Sequence, residues 1–476
     1  MAISSAGIGS GLNVQSIVSQ LVAVESQPVK LLQSKGSTLS TKLSVFGQIK
    51  SELSSLQDAA SALTSTTTWN SKSFTSSNAA AVTGTSTSAA AAGSFSVDVL
   101  NLVTTQSATV QVAGTYSAPE DYTLNIQLGA RDKTTDAFTP GAAAAVPISV
   151  KSGQSLADIA ASINAQSGVG VVATVITTAT GQQLALRGST AGANSGFQIS
   201  ASDSNGNTFA DGLIQSPDGG TTFAKGGTWT TTQYAADARV KIDGIEITSA
   251  TNTITGAVAG VTLNLLATTS SAASVTVDTD KPGIKTKIQA FQDAYNKVYA
   301  DLKTQTAYNA ASKTGGPLLG DNTALGMMSM LRNLVGASGP ATSTLRRMSE
   351  LGLEIQSDGS LKTNATKLDA ALQDPANVKA FFSASTGTAS GDGIAKRVYD
   401  FAFGALGVGG SVTSHSAAFQ KAIDQNNANI DKLNLHIVAY QKQITAQYNT
   451  LDANMAKLSS LSNYVTQQIT TWNKSS

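Results

Sequence analysis

The sequence offers few side chains able to do chemistry. Its 476 residues include two histidines, His415 and His436, and no cysteine. A thiolate nucleophile and any cysteine-ligated metal are therefore excluded. His436 falls beside Ile437 in a stretch with seven-residue apolar spacing and reads as a residue of its polar face. The run GSTAG, Gly188 to Gly192, mimics a nucleophile elbow with Thr190 at its centre, but it sits among short strand-like segments and reads as a turn. Asp203, Asn205 and Asn207 echo the start of a calcium loop. Thr208 stands where that loop needs glycine, and Ile214 where it needs a bidentate glutamate. Gly7, Gly9 and Gly11 are no dinucleotide fingerprint either, because no strand precedes them and no acidic residue follows at ribose distance. Neither an enzyme nor a cofactor is expected.

What the chain does carry is apolar spacing over long distances. Ile423, Ile430, Ile437, Ile444, Leu451, Leu458, Val465 and Trp472 recur every seven residues, and no glycine or proline interrupts them. That pattern predicts one continuous helix of roughly 75 Å at about 1.5 Å per residue. Its second column is mixed: Leu433, Tyr440, Tyr448, Met455, Leu461 and Ile469 are apolar, whereas Asn426, Gln447, Asn454 and Gln468 are not. The polar faces hold mostly Gln, Asn, Ser and Thr, so the charged pairs that select a partner in a simple zipper are missing. Burial within a larger tubular assembly fits such a helix.

Composition narrows the partners. Charged residues make up 13% and the formal net charge is +1, against about a quarter charged in ordinary domains. A charge-poor, neutral chain has no electrostatic footprint for nucleic acid or an anionic membrane. No apolar run is long enough to span a bilayer, and no cleaved signal is expected at the N-terminus. The absence of cysteine suits a chain that passes unfolded through an export channel.

At the N-terminal end Asn13 is placed to cap a helix carrying Val14, Ile17, Val18, Leu21 and Val24. Pro28 suits the first turn of a second helix with Leu32, Leu39, Phe46, Leu53 and Ala60 at seven-residue spacing. Gly36, Lys35 and Lys42 weaken its first part. The two terminal stripes are candidates to cover each other. Ser71 to Gly93 reads as a Ser/Thr/Ala/Gly-rich stretch that leads into period-two alternation at Phe95, Val97 and Val99. Further strands are expected at 122–128, 146–150, 171–176, 183–186 and 197–199, with one helix around Leu156, Ile159 and Ile163. Asp203 to Gly227 reads as turns, and Asp243-Gly244 as a tight hairpin. Helix returns at Pro282, with Asp321, Asn364 and Asp374-Pro375 as later starts. Gly404, Gly407, Gly409 and Gly410 look like a hinge.

Four segments together resemble the flagellar filament cap protein family, flagellar hook-associated protein 2. They are IGSGLNVQSIVSQLVAVESQP, GPLLGDNTALGMMSMLRNLV, LGLEIQSDGSLKTNATKLDAALQDPANVKAFF and QKQITAQYNTLDANMAKLSSLSNYVTQQI, and they occur in the family's order. The resemblance implies export through the flagellar type III apparatus and a ring-shaped homo-oligomer at the distal tip of the filament, secreted outside the cell. It also implies contact with flagellin and the filament end, with hook-associated junction proteins, and with a cytoplasmic export chaperone. A flagellin-like or junction axial protein, and a tip adhesin binding host glycans, are the alternatives.

The expected fold is multidomain α+β: long terminal helices forming a coiled-coil or helical-bundle body with nested, inserted antiparallel β domains. Residues 1–40 and 415–476 are the terminal coiled-coil segments, expected to be disordered when free. Residues 41–80 and 280–410 form the helical body, 85–113 and 236–279 an inner β domain, and 115–235 an outer one. The expected assembly interface is Ile8, Leu12, Ile17, Leu21, Val24, Leu39 and Phe46 at one end. At the other it is Ile430, Ile437, Ile444, Leu451, Leu458, Leu461, Val465 and Ile469, with Leu451, Leu458, Leu461 and Val465 also binding the chaperone.

Overall fold

The computed structural model describes residues 13–203, 207–210, 212–215, 224–388 and 390–474. They fall into a helical unit, built from the chain before Asn70 and from Pro282 onward, and a β-rich unit, Asn70–Lys281. In chain order the helices are α1 (Val14–Glu25), α2 (Gln27–Thr64), α3 (Thr66–Asn70), α4 (Leu156–Ala165), α5 (Lys281–Thr306), α6 (Asn322–Gly336), α7 (Met348–Leu351), α8 (Ala365–Ala371), α9 (Pro375–Ser383), α10 (Ile394–Leu406) and α11 (Ser411–Lys474). The architecture is the multidomain α+β expected of the sequence.

Local chemistry sets the helix starts. The side chain of Asn13 accepts from Ser16 N at 3.0 Å, Asp321 Oδ1 from both Thr323 N and Ala324 N at 3.0 Å, and Asp374 Oδ1 from Asn377 N at 3.1 Å. Each satisfies first-turn amides that have no partner inside the helix. Between α10 and α11 the backbone closes so tightly that a Cβ on Gly410 would lie 2.2 Å from Gly404 O. Only glycine fits there. With 64 residues, α11 runs roughly 96 Å at about 1.5 Å per residue.

The core of the helical unit gathers one face from nearly every helix. Phe46, Ile49, Leu53 and Leu56 of α2 meet Phe291, Tyr295 and Leu302 of α5, Leu331 of α6, Phe381 and Phe382 of α9, Val398 of α10 and Val412 of α11. Each fully buried side chain of this size contributes about 1.5–3 kcal/mol, which holds the short helices that could not persist alone. The helical portion ends at Trp69 rather than at residue 80, because Lys72–Ser76 is already a strand.

The β unit holds two cores. One is enclosed by a five-stranded sheet, in the order Lys72–Ser76, Ala273–Thr279, Gly93–Asn101, Ala238–Ile242, Ile245–Ser249, and by a three-stranded sheet of Thr253–Val258, Val261–Leu265 and Val82–Ser86. The other packs α4 against the sheets that contain Tyr122–Arg131 and Gly181–Gly188. The tight hairpin forms with Ile242 opposite Ile245, and Asp243 and Gly244 both have positive φ, 46° and 82°. That is the geometry two-residue hairpins prefer.

Two stretches hold strands that their local sequence does not show. The Ser71–Gly93 stretch contains the strands Lys72–Ser76 and Val82–Ser86, which pair with segments about two hundred residues on, at 273–279 and 261–265. The turn-rich Asp203–Gly227 region contains the strands Thr208–Ala210, Gly212–Gln215 and Ala224–Thr228. In both places remote partners supply the ladder that local sequence does not announce.

Candidate assembly interface

The long stripe of α11 crosses three surroundings. At its root, Val412 is fully buried in the body. The His415 ring lies 4.7 Å from those of Phe46 and Phe419, and its Nε2 is 2.8 Å from Asp321 Oδ2. Asp321 thus does two things at once: one oxygen caps α6 and the other ties α6 to α11. His415 is a joint between elements, with Thr323 Oγ1 3.4 Å from its Nδ1.

Higher up, α11 lies along α2. Asn426 is 3% exposed and donates from Nδ2 to Leu32 O at 2.9 Å. A Cβ on Gly36 would come within 3.0 Å of that nitrogen. Gly36, expected to weaken α2, leaves the helix continuous and opens the space into which the Asn426 amide fits. Leu39, Ile430 and Ile437 are half-buried in the same region.

Beyond Ile437 the cover comes from α1. Val14, Val18 and Ile444 form a small buried cluster, joined by Leu21, Val22, Tyr440 and Tyr448. Ile17 is half-buried, but Val24 is 68% exposed on the outer side of α1. His436 is exposed, its Nδ1 3.6 Å from Glu25 Oε1, as a polar-face residue should be.

Past Tyr448 the apolar side chains of the stripe are exposed. Leu451, Met455, Leu458, Leu461, Tyr464, Val465, Ile469 and Trp472 are all exposed, Leu458 by 59% and Trp472 by 77%. Together they make an apolar face about six turns long on one helix, of the kind that marks an interaction surface. Of the N-terminal residues expected in the interface, Phe46 is wholly enclosed by its own chain and so has no surface left for a partner. Ile8 and Leu12 lie outside the described residues.

The candidates for chemistry are placed in structural roles. GSTAG begins at the last residue of the strand Gly181–Gly188, and Ser195 N donates to Gly192 O at 2.8 Å to close a turn. Asp203 accepts from Asn207 N at 2.7 Å and Asn207 Nδ2 at 2.8 Å. No group of three or more metal-capable side chains occurs among the described residues, and no helix there is long and apolar enough to cross a membrane. The β unit has an open cleft of about 970 Å³ lined by Arg131, Asp132, Tyr234 and Arg239 among others. Its two arginines are paired within the unit: Arg131 with Asp136 at 2.9 Å and Arg239 with Glu246 at 2.6 Å. Hydrogen bonds from Thr135 and Thr134 hold the Asp132 carboxyl below the usual range.

Three family models match the chain. Flagellar hook-associated protein 2 N-terminus covers residues 10–106, Flagellar hook-associated protein 2 C-terminus covers 235–460, and Flagellin hook IN motif covers 123–190. The A-type flagellar hook-associated protein 2 of Pseudomonas aeruginosa is 27% identical, over 97% of this chain and 96% of its own. Flagellar hook-associated protein 2 of Escherichia coli K12 is 28% identical, over 98% of each. Among solved structures, the flagellar cap protein FliD D1-D2-D3 domains from Escherichia coli share the fold with a TM-score of 0.53 and 24% identity, over 79% of this chain and 99% of that one. Neither a junction protein nor an adhesin is favoured by these likenesses.

Proposed function

We infer the function from kinship: the chain belongs to the flagellar hook-associated protein 2 family, and it is a structural component of the cap at the tip of the bacterial flagellar filament, outside the cell. In the finer reading it forms a ring-shaped homo-oligomer that promotes insertion of exported flagellin, and it has no catalytic role. The observation that carries this reading is the exposed apolar face from Leu451 to Ile469, on a helix whose root is fixed in the body. A rigidly anchored helix that presents an unfilled stripe is built to be completed by other chains. Filament-end subunits, hook-associated junction proteins and further copies of this chain are the partners proposed for the mature state. Before export the same face is an aggregation hazard that a cytoplasmic chaperone would cover at Leu451, Leu458, Leu461 and Val465. The terminal segments 1–40 and 415–476 are proposed to gain order on assembly.

The test is charge placed on the stripe. Leu458→Asp puts a carboxylate where a partner's apolar surface is expected, at a cost of several kcal/mol if it is buried unpaired. Lys457→Asp changes charge on the same turn and serves as control. Cells carrying Leu458→Asp should release unpolymerised flagellin into the medium, and the variant should fail to retain the chaperone in a pull-down, whereas the control behaves as wild type. Normal capping by both variants would exclude the stripe from assembly.

A further inference from the structure

The GSTAG turn, Gly188 to Gly192, lies where the two cores of the β unit meet. The core enclosed by the five- and three-stranded sheets draws its side chains from before Thr104 and from Ala238 onward, and the α4 core draws its own from Ala108 to Trp229. The chain therefore crosses between the cores twice. At the crossings the two segments are tied to each other: Thr104 N donates to Ala236 O at 2.9 Å, Ala236 N to Thr104 O at 3.3 Å, and Thr104 Oγ1 to Tyr234 O at 2.8 Å. Two short polar connections with a separate apolar core on either side have the make-up of a hinge.

The GSTAG loop adds a tie across it. Its base is fixed in the α4 core, where Gln106, 1% exposed, bonds both the N and the O of Phe197 at 2.8 Å and accepts from Gly188 N through its own carbonyl at 2.9 Å. Its tip reaches the other side: Gly192 N donates to Thr104 O at 3.2 Å and Ala193 N to Asp237 Oδ1 at 2.7 Å. Asp237 is held to the sheet-enclosed core, since its carbonyl accepts from Asn101 Nδ2 at 2.7 Å. One residue thus joins a loop of one core to a strand of the other. Gly192 is buried with φ 108°, and a Cβ there would stand 3.2 Å from Ala250 Cβ, Ala250 O and Asp237 Oδ1. Its backbone conformation and the narrow gap both favour glycine. Beside the loop, the open cleft takes its walls from both cores, with Lys133 and Thr135 on one side and Arg239 and Thr248 on the other.

We propose that residues 104–106 and 234–237 form a hinge between the two β cores and that the GSTAG loop is its latch, holding one angle through the hydrogen bond from Ala193 N to the Asp237 carboxylate. With the latch released, the α4 core tilts about the two crossings and the cleft changes width.

The experiment measures that width. The full chain contains no cysteine, so Lys133→Cys and Thr248→Cys place two spin labels at exposed positions on facing walls of the cleft. Double electron–electron resonance, with labelled protein diluted into unlabelled chain so that only distances within one chain are read, should give a single narrow distance in this background. Adding Asp237→Ala should produce a second, shifted population. Asp237→Asn keeps an oxygen that accepts from Ala193 N and should retain the single distance. Gly192→Ala strains the turn and crowds Ala250, and should also shift the distance; it decides the matter by the same reading if circular dichroism shows that Asp237→Ala has lost its fold. An unchanged single distance in a folded Asp237→Ala or Gly192→Ala chain would overturn the proposal. So would a second population of equal size in Asp237→Asn, or a broad distribution already present in the labelled background.

Discussion

Ile444 and Leu458 occupy the same position of the same repeat, two heptads apart on one helix. The first is 5% exposed and the second 59%. Nothing in the side chains accounts for the difference. Ile444 is covered because α1 runs beside it with Val14 and Val18, whereas among the described residues no segment reaches Leu458. Seven-residue spacing therefore states that a face must be covered and says nothing about what covers it. In this family member the chain supplies the cover for one part of the stripe, and assembly is proposed to supply it for the rest.

The sharpest way to test that contrast is to truncate one residue from each environment. Phe46→Ala empties a site enclosed by α2 and the rings of His415 and Phe419, and should lower the unfolding free energy of the helical unit by about 3–5 kcal/mol. Leu458→Ala should leave it within about 0.5 kcal/mol. Denaturant unfolding followed by far-UV circular dichroism reads both, and comparable losses would abolish the distinction.

A smaller effect probes the boundary between the two environments. Asn426 makes one hydrogen bond, worth about 0.5–1.5 kcal/mol net, yet leaves Oδ1 buried without a donor, at a cost of about 1–3 kcal/mol. Asn426→Leu should therefore stabilise the α2–α11 seam by about 1 kcal/mol, since the space beside Gly36 admits a side chain of similar size. A loss of stability in the same unfolding experiment would mean that the amide is needed there for more than its single bond.

Much of this was legible in the sequence, because its causes are local. Asn13, Asp321 and Asp374 announce helix starts through side chains that reach their own first-turn amides, and Asp243-Gly244 fixes a hairpin by its backbone preferences. The stripe on α11 was readable for the same reason, since its spacing is a property of one helix. What escaped depends on residues far apart in the chain. The strands Lys72–Ser76 and Val82–Ser86 owe their pairing to partners near the other end of the β unit. Gly36 and Asn426 each look like a defect alone and become a fitted pair only when α2 and α11 lie together. The role of His415 likewise needs Asp321 and Phe46 brought to it by two other helices.

Hydrogen exchange along α11, in the free chain and in caps assembled on filaments, tests the central claim most directly. Strong protection is expected near Val412 in both states, since that segment belongs to the body's core. Residues 451–472 should exchange fast in the free chain and become protected on assembly. Protection of that segment already in the free chain, or fast exchange there in assembled caps, would contradict the claim that its apolar face is reserved for other chains.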